Sequence, residues 1–482
     1  MNNIDWIKKD IRTVQGSLKC GLSVVSFLLI ASSAFGEVWT YDVPGGVELR
    51  STDYEVTVTS GGEEKSSFVY QSEGFDVYPR LRENGSLHKM MEVSHKGPVK
   101  HSHSIFSFDG TVTVQVKVKP GAAHITLPLK SAKVLPSSYD IPCRIENSDT
   151  IVFTLNRPEK VAIIPNYEQV WNKFAEMGKG HVPIQTWDVN YGEESRRKDY
   201  RAGKLSEALE EGYSNPLIIS ALPPETRIPD PEKQKTLFVN PGDKLDEQEM
   251  LAYDAIWFKP GIHDLAQMGY APFFQTRIKR GQTVYVEGGA YVLARFKRYH
   301  DKEAGPISIV GRGVISGANH LWIHSFSEAS QLIDIDVVSG ITLTDRAGFS
   351  IYNSRLIEDV TLVGAWHGNC DGPDYSDNCV LRNCFFMSHD DSLKINHNTK
   401  AKHIVLWQAT NAHALMVKET YRSDTEMADS VVEDIDIITY FKDPNLSRGD
   451  WPRLGMGAIA CVTAIPYTIR NFTFRDIRIE SP

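Results

Sequence analysis

Glu358-Asp-Val-Thr-Leu362, Arg382-Asn-Cys-Phe-Phe386, Lys402-His-Ile-Val-Leu406 and Glu433-Asp-Ile-Asp-Ile437 spell one phrase, a polar turn residue leading into a short apolar strand. The phrase also stands at Gly281-Gln-Thr-Val-Tyr-Val286, Gly305-Pro-Ile-Ser-Ile-Val310, Ser339-Gly-Ile-Thr-Leu343 and Arg470-Asn-Phe-Thr-Phe474. Most intervals are roughly 20 to 30 residues, and no helical periodicity lies between them. A strand that recurs once per unit without a crossover helix predicts a parallel β-helix, each coil hydrogen-bonded to the one before. A second sandwich would need hairpin turns between successive strands, and these are sparse.

Upstream the pattern changes. From Glu37 to about Pro165 short alternating strands are separated by turns, as in Tyr54-Glu-Val-Thr-Val-Thr59 followed by Gly61-Gly62. Ile105 to Phe108, Asp109-Gly110 and Thr111 to Val118 read as a hairpin, because Asp-Gly accepts the positive φ angles of a tight turn. The expected fold is all-β, an N-terminal β-sandwich followed by a right-handed parallel β-helix. Its expected divisions are a signal segment at 1–36, the sandwich at 37–166, a connector or insertion at 167–231 and the β-helix at 232–482. The last unit runs to Pro482 with no polar cap, so a solenoid continuing beyond it stays open.

The chain has 482 residues and a net charge of -9, which gives a nucleic acid or an anionic membrane no electrostatic support. A neutral or weakly charged substrate fits better, and the chain is expected to act as a monomer. Lys8, Lys9 and Lys19 precede an apolar run from Gly21 to Ile30 and small residues ending at Gly36, the layout of a secretory signal cleaved before Glu37. Secretion, extracellular or periplasmic, with no membrane attachment after cleavage, is the expectation. Of the cysteines outside that segment, Cys370, Cys379 and Cys384 crowd one region, where a loop-bracing disulfide and a buried core thiol are both open.

That region also holds the chemistry. Asp371 stands 19 positions before Asp390, close to one coil, and Asp391 follows at once. Neighbouring rungs lie roughly 4.8 Å apart, so Asp371 should face the pair. Three such carboxylates repel, which keeps at least one protonated near neutral pH and supplies an acid beside a base. A gap of about 6.5 to 9.5 Å would leave room for the water of an inverting glycosidase. The plainer readings are turn-forming aspartates and a calcium site. Trp366 and His367, just before Asn369, could stack on or bond a sugar ring. Lys394 and Lys418 follow apolar strand residues on successive coils, where each could tune the carboxylates or bind a hydroxyl.

The segment Asn369-Cys-Asp371-Gly, with Cys384-Phe-Phe-Met-Ser-His-Asp390-Asp391-Ser-Leu-Lys394, resembles glycoside hydrolase family 49, the dextranases and isopullulanases, and more distantly the polygalacturonases of family 28. Gly281 to Gly289 with Ala290-Tyr-Val, Gly311 to Gly317 and Thr468-Ile-Arg-Asn-Phe-Thr-Phe are similar to family segments too. The resemblance implies Asp390 as general acid, with Asp371 and Asp391 as the base candidates that hold the water. It also implies inversion at the anomeric carbon, a polysaccharide substrate and no metal or other cofactor. His389 stands where some relatives have a third consecutive aspartate, and His413 in Asn411-Ala-His413-Ala is loosely like the polygalacturonase histidine. With Trp366, His367, Asn369, Lys394 and Lys418 they complete the expected substrate contacts. The implied activity is endo-acting hydrolysis of an α-glucan, dextran before pullulan. The alternatives are a polygalacturonase-like or other plant or algal polysaccharide hydrolase, a calcium-dependent lyase and a non-catalytic glycan-binding solenoid.

Overall fold

The computed structural model describes residues 36–73, 77–81, 87–92, 100–169, 215–265, 276–299, 304–318, 330–345, 349–363, 370–388, 390–408, 413–417, 426–440, 458–461 and 468–480. The expected signal segment, but for Gly36, and most of the expected connector lie outside them.

Alternating residues make the sandwich. Tyr54–Ser60 and Val112–Val118 bury every second side chain, the period of a sheet with one face on a core. One sheet is antiparallel in the order Cys143–Glu146, Thr150–Leu155, Val112–Val118, Tyr54–Ser60, Glu63–Ser67. The other runs Val38–Thr40, Lys100–Phe108, Leu217–Leu222, Lys160–Pro165, Ala132–Leu135, with Val69–Glu73 also on Lys100–Phe108. Phe106, Phe108, Val112, Val114, Ile163 and Ile219 meet between the two sheets.

Two sequence expectations change here. Lys100–Phe108 and Val112–Val118 are not hairpin partners, because they sit in different sheets. Phe106, Phe108 and Val112 all point into one core, so the Asp109-Gly110 turn, with Gly110 at φ 67°, carries the chain over that core. Leu217–Leu222, within the expected connector, is a sandwich strand, paired parallel to Lys100–Phe108 and antiparallel to Lys160–Pro165. All six of its residues are buried, which is why its apolar run carries no alternation to read.

The second half is a parallel β-helix. Its main sheet stacks Thr236–Val239, Ala255–Phe258, Thr283–Val286, Ser308–Gly311, Val337–Ser339, Leu356–Glu358, Val380–Ser388, Lys400–Gln408, Val431–Tyr440 and Thr473–Ile479, each parallel to the next. Inward Ile, Leu and Val side chains form one continuous core along it. The turn residue of the repeated phrase has a physical duty. Ser339, Glu358, Arg382, Lys402, Glu433 and Arg475 are in register, Arg475 taking the place expected of Arg470, which pairs with Ala428 in another sheet, and the next residue in each coil, Gly340, Asp359, Asn383, His403, Asp434 and Asp476, has φ between 53° and 78°. Gly, Asn, Asp and His tolerate that left-handed bend better than other residues, so the bend between two faces of the coil selects them.

The sandwich lies on the β-helix. Leu135, Ala162, Ile164 and Ile218 from the sandwich form one buried cluster with Val363, Cys370, Phe385, Met387, Val405 and Ile438 from the coils. Each Val, Leu, Ile, Phe or Met side chain removed from water is worth about 1.5–3 kcal/mol. Polar ties flank the cluster: Ser220 bonds Thr361 at 2.7 Å, Ser138 Oγ donates to Asp436 at 2.8 Å and Lys160 Nζ donates to the Asn383 carbonyl at 2.5 Å.

Candidate active site

The cluster under the sandwich contains Cys370, Phe385 and Met387, and the chain continues from these into Asp371 and toward Asp390. Val380–Ser388 is paired on both sides, with Leu356–Glu358 and Thr361–Leu362 before it and Lys400–Gln408 after it. A strand so held is a rigid lead-in to the pair Asp390–Asp391.

Asp371 comes from the preceding coil. The Gly372 N–H donates to the Asp391 carbonyl at 2.9 Å, which joins the two rungs by main chain. A Cβ on residue 372 would overlap the Ser392 carbonyl oxygen, so glycine there permits the approach. One oxygen from each of Asp371, Asp390 and Asp391 lies within 4.8 Å of the others. That is tighter than the gap of about 6.5 to 9.5 Å expected for a water between facing carboxyls. Two of the residues are chain neighbours and the third is one rung away, so rung spacing rather than side-chain reach sets the separation. Neither Asp371 nor Asp391 has the left-handed backbone of Asp359 and Asp434, which distinguishes them from the turn formers.

Lys394 projects into the same cluster from Leu393–Ile395, whose flanking Leu393 and Ile395 point into the core. Its Nζ is in contact with Asp371 Oδ2 and lies 3.8 Å from Asp391 Oδ2. The main chain of His413 completes the support: its N–H donates to Asp391 Oδ1 at 3.2 Å, and its carbonyl accepts from Ser392 at 3.0 Å. The Asp391 N–H donates to Asp390 Oδ1 at 3.0 Å.

Charge follows from this geometry. Burial pushes the Asp391 carboxyl up to about 7; Lys394 opposes that rise and Asp390 adds to it. Asp371 is pushed well above the carboxylate range by burial, against the pull of Lys394 and with the push of Asp390 and Asp391. Burial alone would lower Lys394, but Asp371, then Asp391 and Asp374, hold it above its ordinary value. Both partners of the Lys394–Asp371 pair thus rise, and a neutral Asp371 would remove the main cause of the lysine's rise. Several carboxylates face one ammonium, so the lysine keeps its charge and the excess proton falls on the carboxyl side. A proton held near neutral pH beside ionised carboxylates is an acid and base in one site.

The structure therefore brings together Asp371, Asp390, Asp391, Lys394 and the main chain of His413. Trp366, His367, Asn369, His389 and Lys418 lie outside the described residues. Three contributors were not singled out in the sequence. Gly372 sets the approach. Gln408, in register with Ser388, donates to the Asp390 carbonyl at 3.1 Å and accepts from Ser392 Oγ. Asp374, tied by its N–H to the Ile351 carbonyl at 2.8 Å, adds negative charge behind the lysine. Extending the strand register by one coil would have found Gln408. Cys370, Cys379 and Cys384 are buried and form no disulfide brace. Trp407 packs against the cluster under the sandwich.

No family model matches the chain. A dextranase of Arthrobacter sp. (strain CB-8) is 22% identical over 483 residues, covering 89% of this chain and 70% of the relative. A dextranase of Arthrobacter globiformis is 21% identical over 492 residues, with the same coverage of 89% and 70%. An isopullulanase of Aspergillus niger is 23% identical over 309 residues, 55% of this chain and 52% of the relative. Among solved structures, Dex49A from Penicillium minioluteum superposes with a TM-score of 0.63 at 18% identity, over 88% of this chain and 78% of that one. Across both halves of the fold the chain is thus similar in sequence to two dextranases, over a shorter stretch to an isopullulanase, and in architecture to Dex49A.

Proposed function

We propose that this glycoside hydrolase is an endo-acting enzyme that cleaves an α-glucan, dextran before pullulan, with inversion at the anomeric carbon. The observation that carries the reading is the buried carboxylate cluster, in which Asp371 is joined by main chain to the rung of Asp390 and Asp391. Asp390 gives its proton to the glycosidic oxygen as the bond from that oxygen to the anomeric carbon breaks. Asp391, with Asp371 beside it, takes a proton from the water that attacks the same carbon from the opposite face. With the three carboxylates so close, the sugar lies over the cluster and not between two facing walls. A carboxyl pushed up to about 7 is a stronger base once ionised than an ordinary aspartate.

Lys394 bears on the alternatives. Its ammonium stands among the oxygens that a calcium ion would need, which counts against the calcium-dependent lyase. The relatives are named dextranase and isopullulanase, which favours a neutral glucan over a uronate polymer. Secretion through residues 1–36 belongs to the same proposal, and among the described residues no helix is long and apolar enough to cross a membrane.

The test is incubation of the full chain with dextran, pullulan and polygalacturonate, following reducing ends and, by proton NMR at early times, the product anomer. Release of oligosaccharides from dextran with the β-anomer first is the expected outcome. An ultraviolet-absorbing unsaturated product, or no release from either glucan, would overturn it.

A further inference from the structure

We propose that Lys394 is a positioning residue of this reaction rather than a sugar contact: it holds Asp371 as its ionised partner and so leaves the transferable proton to the pair Asp390–Asp391. The inference rests on the hydrolase reading above and assigns a task to one residue within it.

Accessibility comes first. The Lys394 side chain is 4% exposed, and so is that of Asp371, so the ammonium is presented to a carboxylate rather than to solvent. Its neighbour in register on the next coil is Met416, which is also buried, and an apolar side chain at 394 would suit that contact. A buried ammonium is costly unless paired, so the gain has to come from the carboxylates. Among the described residues, the charged and titratable groups in this cluster are Asp371 and Asp374 from the preceding coil and Asp390 and Asp391 from its own, with His413 on the following coil. Among these the lysine touches Asp371 and stands 3.8 Å from Asp391, so its field falls most strongly on Asp371.

An inverting step needs one carboxyl protonated while another is ionised at the same pH. Three equivalent carboxylates would share a proton without preference. An ammonium fixed against one of them breaks that equivalence, because the contact favours the ionised form of Asp371 over those of Asp390 and Asp391. The Gly372–Asp391 main-chain bond keeps Asp371 from withdrawing along with the lysine.

Four variants of the full chain test this: Lys394→Met, Lys394→Arg, Asp371→Asn and the double variant Lys394→Met with Asp371→Asn. Activity on a soluble dextran is measured against pH, and thermal midpoints are taken from pH 4 to 8. Lys394→Met should lower kcat on the order of 10²-fold, keep KM within about threefold, and move the acid limb of the rate profile to higher pH. The sign follows because removing a positive charge makes the carboxylates harder to ionise. Lys394→Arg keeps the charge and should leave the limb in place even where its activity falls. A raised KM with kcat and the acid limb unchanged in Lys394→Met would return the lysine to sugar binding and overturn the proposal.

The thermal midpoints do not depend on catalysis. The deficit of Lys394→Met against the wild type should grow as pH rises and the carboxylates ionise, and the double variant should recover most of it, because no buried charge is then left against Asp371. A deficit independent of pH would overturn the proposal even in a folded, inactive protein. Should Lys394→Met fail to fold, Lys394→Arg and the double variant carry the same tests. If the wild type cleaves no glucan, the functional reading fails by itself, and the midpoints still decide the pairing.

Discussion

Two clusters of ionisable groups lie within a few coils of each other, and they are built by opposite rules. Where the sandwich meets the later coils, Glu159 receives Arg157 at 2.5 Å and His403 at 2.8 Å, while Asp434 and Asp436 both receive Arg478. His403 bridges the two domains, with Glu159 on one ring nitrogen and Asp434 on the other, its ring stacked on Tyr139 at 5.4 Å. Each carboxylate there has a positive partner. At the candidate site, Asp371, Asp390 and Asp391 gather within one cluster, where Lys394 touches Asp371 and stands 3.8 Å from Asp391. Matched charges hold a junction; mismatched ones keep a proton available. An arrangement that breaks the pairing rule at a buried position is where chemistry is expected.

Substitutions can break this contrast in decreasing order of effect. Asp390→Asn removes the proposed proton donor, and kcat should fall by about 10² to 10⁴-fold while circular dichroism and the thermal midpoint stay at wild-type values. Wild-type turnover would move the acid to another carboxyl. Gly372→Ala drives a methyl group into the Ser392 carbonyl and should cost about 1–3 kcal/mol in urea unfolding, with a loss of activity because Asp371 moves with its rung.

Glu159→Gln, at the junction, should cost about 1–2 kcal/mol and leave kcat alone. Its pH dependence has a fixed sign. Glu159, opposed by burial and supported by Asp434, holds His403 above its ordinary 6.5 in the folded state. The stability this adds is complete below 6.5 and disappears as pH rises through the raised value. Thermal midpoints of wild type and variant should therefore converge toward alkaline pH, and divergence would mean that the histidine is not charged at the junction. Arg144→Ala, which removes an exposed pair with Glu146 on the sandwich surface, should change stability by less than about 0.5 kcal/mol.

The coils were legible in the sequence because one residue per turn must adopt a left-handed bend, and that need marks the chain at Asp359, Asn383 and Asp434. The proximity of Asp371 to Asp390 followed from the same period. Two features were not legible. Leu217–Leu222 joins the sandwich across a long stretch of chain, and a strand buried on both faces carries no alternation to betray its sheet. The contact of Lys394 with Asp371 is set by the direction of one side chain between rungs, and a lysine after an apolar residue reads equally well as solvated.

The main-chain bond from Gly372 to Asp391 also bears on how such a protein can be altered. The distance between the carboxylates is measured by a peptide hydrogen bond inside one pair of coils and not by packing across the whole domain. Coils elsewhere in the stack could be added, removed or exchanged, and loops regrown at their bends, without resetting that measure. The carboxylate cluster is portable within the solenoid, and the coils and loops around it can vary independently.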